Sequence, residues 1–386
     1  MIYIFIVFIL LIFVYCYDVL KFQSGKIFCL ALSFIILTIL VGVRYRLGGD
    51  ALSYESIYDF MPSIRDIRED GLYPFDYLVI YQPLWILLNA CSVSISRDFL
   101  AFQLIHSVII NTLLFVYILK NSKKQFTVLF FLFVTHYYFY FVIEIEREVL
   151  AIGIFLLNIN NLQKKKWISY YLLCVLSFMF HLSAIILFFI PLFKKINLTF
   201  KQVVIVLLLL TPFIFFKQSL ISLLKPFFFL EFLQDKLDTY SDFGFSVAGI
   251  ILNYLLRVIF LMPLLFYNNI YKKYSDYQWM FHLMAILSVL SLSLVGIERF
   301  LNYFIIPYIV IFIDFIYYNK FEDHKKYISI IVIVCTLVNL LSGIPRRLLS
   351  TNKKGTPYFY LFYPYTSIFD KKIIYEREKF MEENWD

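Results

Sequence analysis

Charge is what this sequence has least of: 16% of its 386 residues are Asp, Glu, Lys or Arg, against 61% hydrophobic residues, and the mean hydropathy is +0.78. A soluble chain carries about 25% charged residues, so a water-soluble multidomain enzyme is excluded. Glycine and proline are scarce, at 11 each, too few for flexible tethers between domains. The five cysteines, Cys16, Cys29, Cys91, Cys174 and Cys335, lie in apolar stretches without ligand spacing. That argues against both a disulfide framework and a zinc site. A phosphate-binding P-loop, GxSxG, HExxH and closely spaced Asp pairs are also missing, which disfavours ATP hydrolysis and metalloprotease chemistry.

What the chain has instead is a succession of apolar runs, near 2–17, 27–43, 99–119, 126–142, 147–161, 202–216, 247–266, 277–296, 300–318 and 327–341. Most approach the roughly 20 residues that cross a bilayer as helix. The expected fold is an all-α polytopic membrane protein, with residues 1–341 forming a single transmembrane bundle and 342–386 a polar and aromatic tail. The first run lacks a basic leader and a small-residue cleavage site and reads as an uncleaved span. The net charge of +8 sits in short lysine clusters between the runs, which suits orientation in a membrane rather than nucleic-acid binding. The 45 Phe and 31 Tyr fit lipid-facing and interfacial positions, although an A+T-rich coding bias would enrich the same residues.

Placing Lys21/Lys26, Lys120/Lys123/Lys124, Lys164–Lys166, Lys194/Lys195, Lys272/Lys273 and Lys325/Lys326 on the cytoplasmic side restricts the topology. Residues 77–96, interrupted by Gln82, Pro83 and Asn89, are then a re-entrant or interfacial helix. The 167–193 run is a broken helix or hairpin with His181 at its outer turn, or else one long tilted span. The expectation is about 12 crossings, within a range of about 10–13, and outer loops at 44–76 and 217–246.

That topology gathers the scarce charges on the outer face. Arg44-Tyr45-Arg46-Leu47-Gly48-Gly49-Asp50, followed by Tyr54, joins two planar cations, a flexible pair and a carboxylate. Such a set suits phosphate or pyrophosphate, with Asp50 orienting or deprotonating a hydroxyl; equally, the arginines snorkel to the interface and pair with Asp50. Glu144, Arg147 and Glu148 share a helical face, so Arg147 is either held by its own carboxylates or turned into the bundle. Glu298 and Arg299 occupy a short turn between long runs, where a central charge costs about 2.5–3.5 kcal/mol, as a buried pair or as a ligand site. His181, within Phe180-His181-Leu182-Ser183-Ala184, is a base or a satisfied core residue. Arg346 and Arg347 extend the anion site or anchor the last run. His106, Arg257 and Asp314 lie inside runs as internal pairs.

At these residues the chain resembles the EpsG/Wzy-like family of bacterial polysaccharide polymerases, through the Arg44–Asp50 motif with Tyr54, Arg147 with Leu150-Ala151, Phe180–Ala184, and Arg299 with Tyr303-Phe304. Two positions depart: Ala51 where an aromatic residue is common, and Glu148 where an amide is usual. The resemblance implies a glycosyltransferase in the bacterial cytoplasmic membrane. It would transfer a growing glycan from undecaprenyl pyrophosphate to the non-reducing end of another lipid-linked repeat unit, alongside flippase and chain-length regulator partners. Arg44, Arg46, Arg147 and Arg299, with Tyr54, would hold the pyrophosphate while Asp50 or His181 takes the acceptor proton. No metal or other cofactor is expected, since arginines neutralise the leaving group. A lipid-linked sugar flippase or transporter, another membrane glycosyltransferase and an acyltransferase are the competing readings.

Overall fold

In the computed structural model, which describes residues 2–71, 81–216, 246–319, 323–352 and 354–383, the chain is helical, with no β-strand among those residues. It divides into two compact units: Met1–Ile185 with Gly343–Asp386, and Ile186–Ser342. The tail therefore belongs to the first unit, although 157 residues of the second unit intervene in the sequence.

The first unit contains α1 (Ile2–Val19), α2 (Lys26–Gly42), α3 (Ala51–Asp59), α4 (Ile64–Asp70), α5 (Pro83–Ile95), α6 (Phe99–Asn121), α7 (Gln125–Val134), α8 (Tyr137–Glu144), α9 (Glu146–Gln163) and α10 (Trp167–Phe178). Chain chemistry sets the helix starts. Pro83 opens α5 where its missing N–H has no role, Ser63 and Asp66 form a capping box on α4, and the Asp98 side chain accepts from Leu100 N at 2.9 Å. α6 packs against both α2 and α9. At the α2 crossing, a Cβ on Gly42 would come within 2.8 Å of Ser107 Oγ, so the missing side chain lets the helices close. An aromatic cluster of Tyr54, Tyr58, Trp85 and Phe102 fixes α3 and α5 to α6.

At the far end of α1, Asp18 is wholly buried. Its Oδ2 accepts from Thr127 N at 2.7 Å and from Thr127 Oγ1 at 2.8 Å, and Lys124 Nζ donates to its carbonyl. Lys21 and Lys26 lie near enough to act on Lys124, so this is the lysine end of the unit.

Among the described residues four helices are long and apolar enough to cross a membrane: α1, α6, α13 (Val247–Tyr271) and α15 (Glu298–Tyr318); α7 and α8 together make a fifth if a bent pair is one span. That pair corrects the straight span expected over 126–142. The helices meet at 81°, because His136 takes a left-handed conformation (φ 66°) and its ring packs edge-on to Phe362 of the tail at 4.5 Å. The 77–96 stretch yields α5, 13 residues and so only about 20 Å long, short of a full crossing. The 167–193 run is broken: α10 and α11 (Ile185–Ile196) have 12 residues each, separated by an extended His181 (φ −153°) and a 3-10 turn at Leu182–Ala184. The expected loop 217–246 lies outside the described residues except for Ser246, as do residues 72–76 of the other loop.

The second unit holds nearly all of α11, then α12 (Phe200–Ile214), α13, α14 (Gln278–Ser293), α15 and α16 (Asp323–Leu341). α14 is buried along almost its whole length. Arg257 in α13 pairs with Glu298 at 2.9 Å, and Asn339 Nδ2 donates to the Leu256 carbonyl at 2.6 Å. The tail then adds α17 (Gly343–Leu349), a 3-10 turn at Tyr358–Leu361 and α18 (Tyr375–Glu383) to the first unit. Arg377 clasps it: Nε donates to Tyr360 O at 2.8 Å, Nη1 to Thr366 Oγ1 at 2.5 Å, and Nη2 to the Pro364 carbonyl.

Candidate functional site

The 43–50 loop leaves α2 and is laced to the tail. Tyr45 N donates to Thr366 O at 2.9 Å, Ile368 N to Val43 O at 3.0 Å, and Gly48 N to Leu361 O at 3.0 Å. Gly48 has φ +97°, and a Cβ there would sit 2.6 Å from Ile143 Cγ2, so only glycine fits. Its missing side chain allows a close crossing against α8. Asp50 follows, exposed, at the start of α3.

The arginines of this loop have separate lives. Arg44 is 1% exposed; Nη1 donates to Val41 O at 2.7 Å and Nη2 pairs with the Glu146 carboxylate. His106 Nε2, in α6, donates to the Glu146 carbonyl at 2.9 Å, so the start of α9 is fixed from two sides. Arg46 is half-buried between Glu55 at 3.0 Å and Glu378 of the tail at 2.5 Å, with its guanidinium 5.4 Å from the Tyr45 ring centroid. Both are compensated by carboxylates already present.

Arg147 is different. It is half-buried in the first turn of α9, its guanidinium lies 5.1 Å from the Tyr81 ring centroid, and it is near enough to act electrostatically on the Tyr54 phenol. Among the described residues no carboxylate forms an ion pair with it. The expectation that neighbouring glutamates hold Arg147 fails for a local reason. Ile145 (φ −105°, ψ 51°) breaks the helix, leaving Glu144 outside α9, where its Oε1 accepts from the Tyr358 hydroxyl of the tail. Burial pushes the Tyr54 phenol up from its ordinary range, and Arg147 opposes that shift. Asp50 lies near enough to act electrostatically on both Tyr54 and Glu146. Arg44, Asp50, Tyr54, Glu146 and Arg147 thus form one coupled group at the end of the first unit opposite Lys21, Lys26 and Lys124.

A sequence profile of the EpsG family matches residues 26–367. The chain belongs to the EpsG family. No curated protein and no solved structure matches it. EpsG membership points to a polysaccharide polymerase or a related glycosyltransferase, and together with the apolar helices it marks a membrane protein. The matched span includes the 43–50 loop, Arg147, His181 and Arg299, and ends before Arg377 and Glu378.

The remaining candidates fall elsewhere. His181 is buried at the break after α10, with Nδ1 2.7 Å from Ser183 Oγ. Its neighbour Phe180 packs on the same aromatic cluster as Tyr54 and Tyr81. Arg299 is exposed in the first turn of α15, in the second unit. Arg346 and Arg347 lie in α17. Sequence reasoning missed Tyr81, Glu378 and Arg377. Tyr81 is one tyrosine among 31, and the other two lie more than 300 residues from the loop they hold.

Proposed function

We propose that this EpsG-family protein polymerises lipid-linked oligosaccharide repeat units at the outer face of the bacterial cytoplasmic membrane. The observation that supports this reading is Arg147, a half-buried guanidinium with two tyrosines beside it and no carboxylate partner among the described residues. A desolvated cation without a counter-charge is unfavourable unless a ligand supplies one, and a planar guanidinium matches a pyrophosphate. The lysine end of the first unit faces the cytoplasm in this reading, the Arg147 end faces outward, and the whole chain makes about 12 crossings.

The acceptor sugar hydroxyl attacks the anomeric carbon of the donor glycan. Its oxygen–carbon bond forms as the carbon–oxygen bond to the lipid pyrophosphate breaks, and the pyrophosphate leaves with the electron pair. Arg147 stabilises the charge developing on that leaving group, with Tyr54 beside it. Asp50, exposed and coupled to the same group, accepts the hydroxyl proton; His181 is the alternative base. Arg44 and Glu146 hold the start of α9, and with it Arg147, in place. Arg46 positions the loop. Undecaprenyl pyrophosphate is the carrier, and a flippase and a chain-length regulator are the partners such a reaction needs upstream and alongside.

Purified protein in lipid nanodiscs, incubated with undecaprenyl-pyrophosphate-linked repeat units, should yield a ladder of longer lipid-linked products. Unchanged substrate from folded protein overturns the assignment.

A further inference from the structure

A cavity of ≈ 350 Å³ opens on the other face of α3, within the first unit. On that helix Ala51 and Glu55, one turn apart, line the cavity, while Tyr54 and Tyr58 pack into the aromatic cluster. Its remaining walls include Arg46, the start of α6 at Asp98 and Phe99, Gln103 one turn further on, and Lys371 of the tail.

Two buried polar groups in this wall lack partners. Gln103 is 4% exposed, lines the cavity and makes no side-chain hydrogen bond among the described residues, so its amide is left to whatever fills the cavity, and the Nε of Arg44 is buried without an acceptor among them. A buried polar group left unsatisfied costs about 1–3 kcal/mol, so the cavity is built for a polar occupant. Its volume lies within the ~300–1,000 Å³ of small-molecule sites. The charge balance says which kind. Arg44 and Arg46 are already compensated by Glu146, Glu55 and Glu378, and Glu55 and Asp98 line the cavity themselves. A phosphate would meet those carboxylates as like charges. A sugar residue would find hydroxyl acceptors in them, donors in Gln103, Arg44 and Lys371, and an aromatic face at Phe99 or Tyr45.

We infer that this cavity is a carbohydrate subsite taking a sugar residue of the acceptor glycan, with the C-terminal tail supplying one wall. The inference rests on the polymerase reading for the word acceptor, and on the cavity alone for carbohydrate binding.

The test uses full-length protein in detergent, titrated calorimetrically with two probes: lipid-free oligosaccharide repeat unit released from the source cell's own surface polymer, and inorganic pyrophosphate. Gln103→Leu, close to isosteric, should weaken oligosaccharide binding about tenfold or more, since two lost hydrogen bonds amount to that much affinity, and leave pyrophosphate binding unchanged. Lys371→Ala, on the exposed wall where folding is not at risk, should weaken oligosaccharide binding severalfold. Arg147→Ala should show the reverse pattern. Oligosaccharide binding unchanged in Lys371→Ala and in a Gln103→Leu that melts like the wild type overturns the subsite, as does wild-type protein that binds no oligosaccharide. A product ladder with Gln103-independent oligosaccharide binding removes the subsite alone. Gln103-dependent binding without any ladder removes the polymerase reading and leaves the subsite standing.

Discussion

The two ends of the first unit both bury charge, and they use it differently. At the lysine end a carboxylate, Asp18, takes the backbone and side-chain donors of Thr127, and Lys124 closes on the Asp18 carbonyl. Every partner there is a neighbour in the protein, and the effect is to fasten α1 to α7. At the opposite end Arg44 and Glu146 make an equally buried pair, but beside them stand Arg147, with no carboxylate partner among the described residues, and Asp50, exposed. The first arrangement acts as a fastening, with Asp18 Oδ2 taking both donors while Oδ1 is buried without a hydrogen-bond partner among the described residues. The second has a half-buried cation with no carboxylate partner among the described residues, which a binding site can use and a fastening does not need.

The comparison is broken most directly at the pair the two ends have in common, a buried charge with a buried partner. Arg44→Ala leaves the Glu146 carboxylate, 2% exposed, without its guanidinium, and breaking such a pair destabilises by about 3–5 kcal/mol. Thermal unfolding in detergent should show a large drop in melting temperature and poor yield. A variant that melts like the wild type would mean that the Arg44–Glu146 pair does not hold α9. Arg147→Ala should act in the opposite sense. Its melting temperature should change little, because no ion pair among the described residues is lost, while product ladders fall by about 10²–10³-fold, the loss typical of removing one transition-state donor. Arg147→Lys should recover part of the activity, because a point charge replaces a planar fork. Equal effects of Arg44→Ala and Arg147→Ala on stability and turnover would erase the distinction drawn between them.

Thr127→Val at the lysine end should be milder. It removes one of two hydrogen bonds to Asp18 Oδ2, worth about 1.5 kcal/mol, and should lower the melting temperature without changing turnover per folded molecule. Loss of turnover at unchanged stability would place the lysine end in the reaction as well.

Much of this was legible in the residues. Each of the ten apolar runs falls on one helix or on the bent α7–α8 pair, because hydrophobic length and lysine punctuation are local signals. The break at His181 and the short helix after Pro83 could be anticipated from polar interruptions in otherwise apolar stretches. What sequence could not assign was partnership. Arg44 and Arg46 are two residues apart and look equivalent, yet one reaches Glu146 and the other Glu55 and Glu378, over separations from 9 to 332 residues. The tail was read as an appendage because its pattern is polar and aromatic. Its attachment depends on main-chain hydrogen bonds between the 43–50 loop and Leu361, Thr366 and Ile368, which carry no sequence signature. The bend at His136 was missed for a related reason, since the residue's conformation is tied to packing against Phe362, more than 200 positions away.

The tail sharpens the comparison at its smallest scale, because two of its turns are held by carboxylates rather than by buried pairs. Asp370 accepts from Ser367 N at 2.8 Å and from Ser367 Oγ at 3.0 Å; Glu383 accepts from Asn352 Nδ2 at 2.6 Å and Thr356 Oγ1 at 2.9 Å. The Ser367 and Asn352 hydrogen bonds are the main cause holding the two carboxyls below their ordinary values of 3.8 and 4.5. A carboxyl depressed on folding contributes stability above its unfolded pKa and loses it as pH falls through the folded one. Tail docking should therefore be constant from neutral pH down to about 4.5, then loosen first around Asn352 through Glu383 and, below about 3.8, around Ser367 through Asp370. Hydrogen exchange across residues 350–383 should rise over that acid window, while α1 and α7, fastened through the buried Asp18, remain protected. Asp370→Asn should flatten the response around Ser367 and leave that around Asn352 intact, since the two carboxylates serve separate turns. A uniform acid opening of the whole first unit would show instead that the tail has no stability of its own apart from the helices it covers.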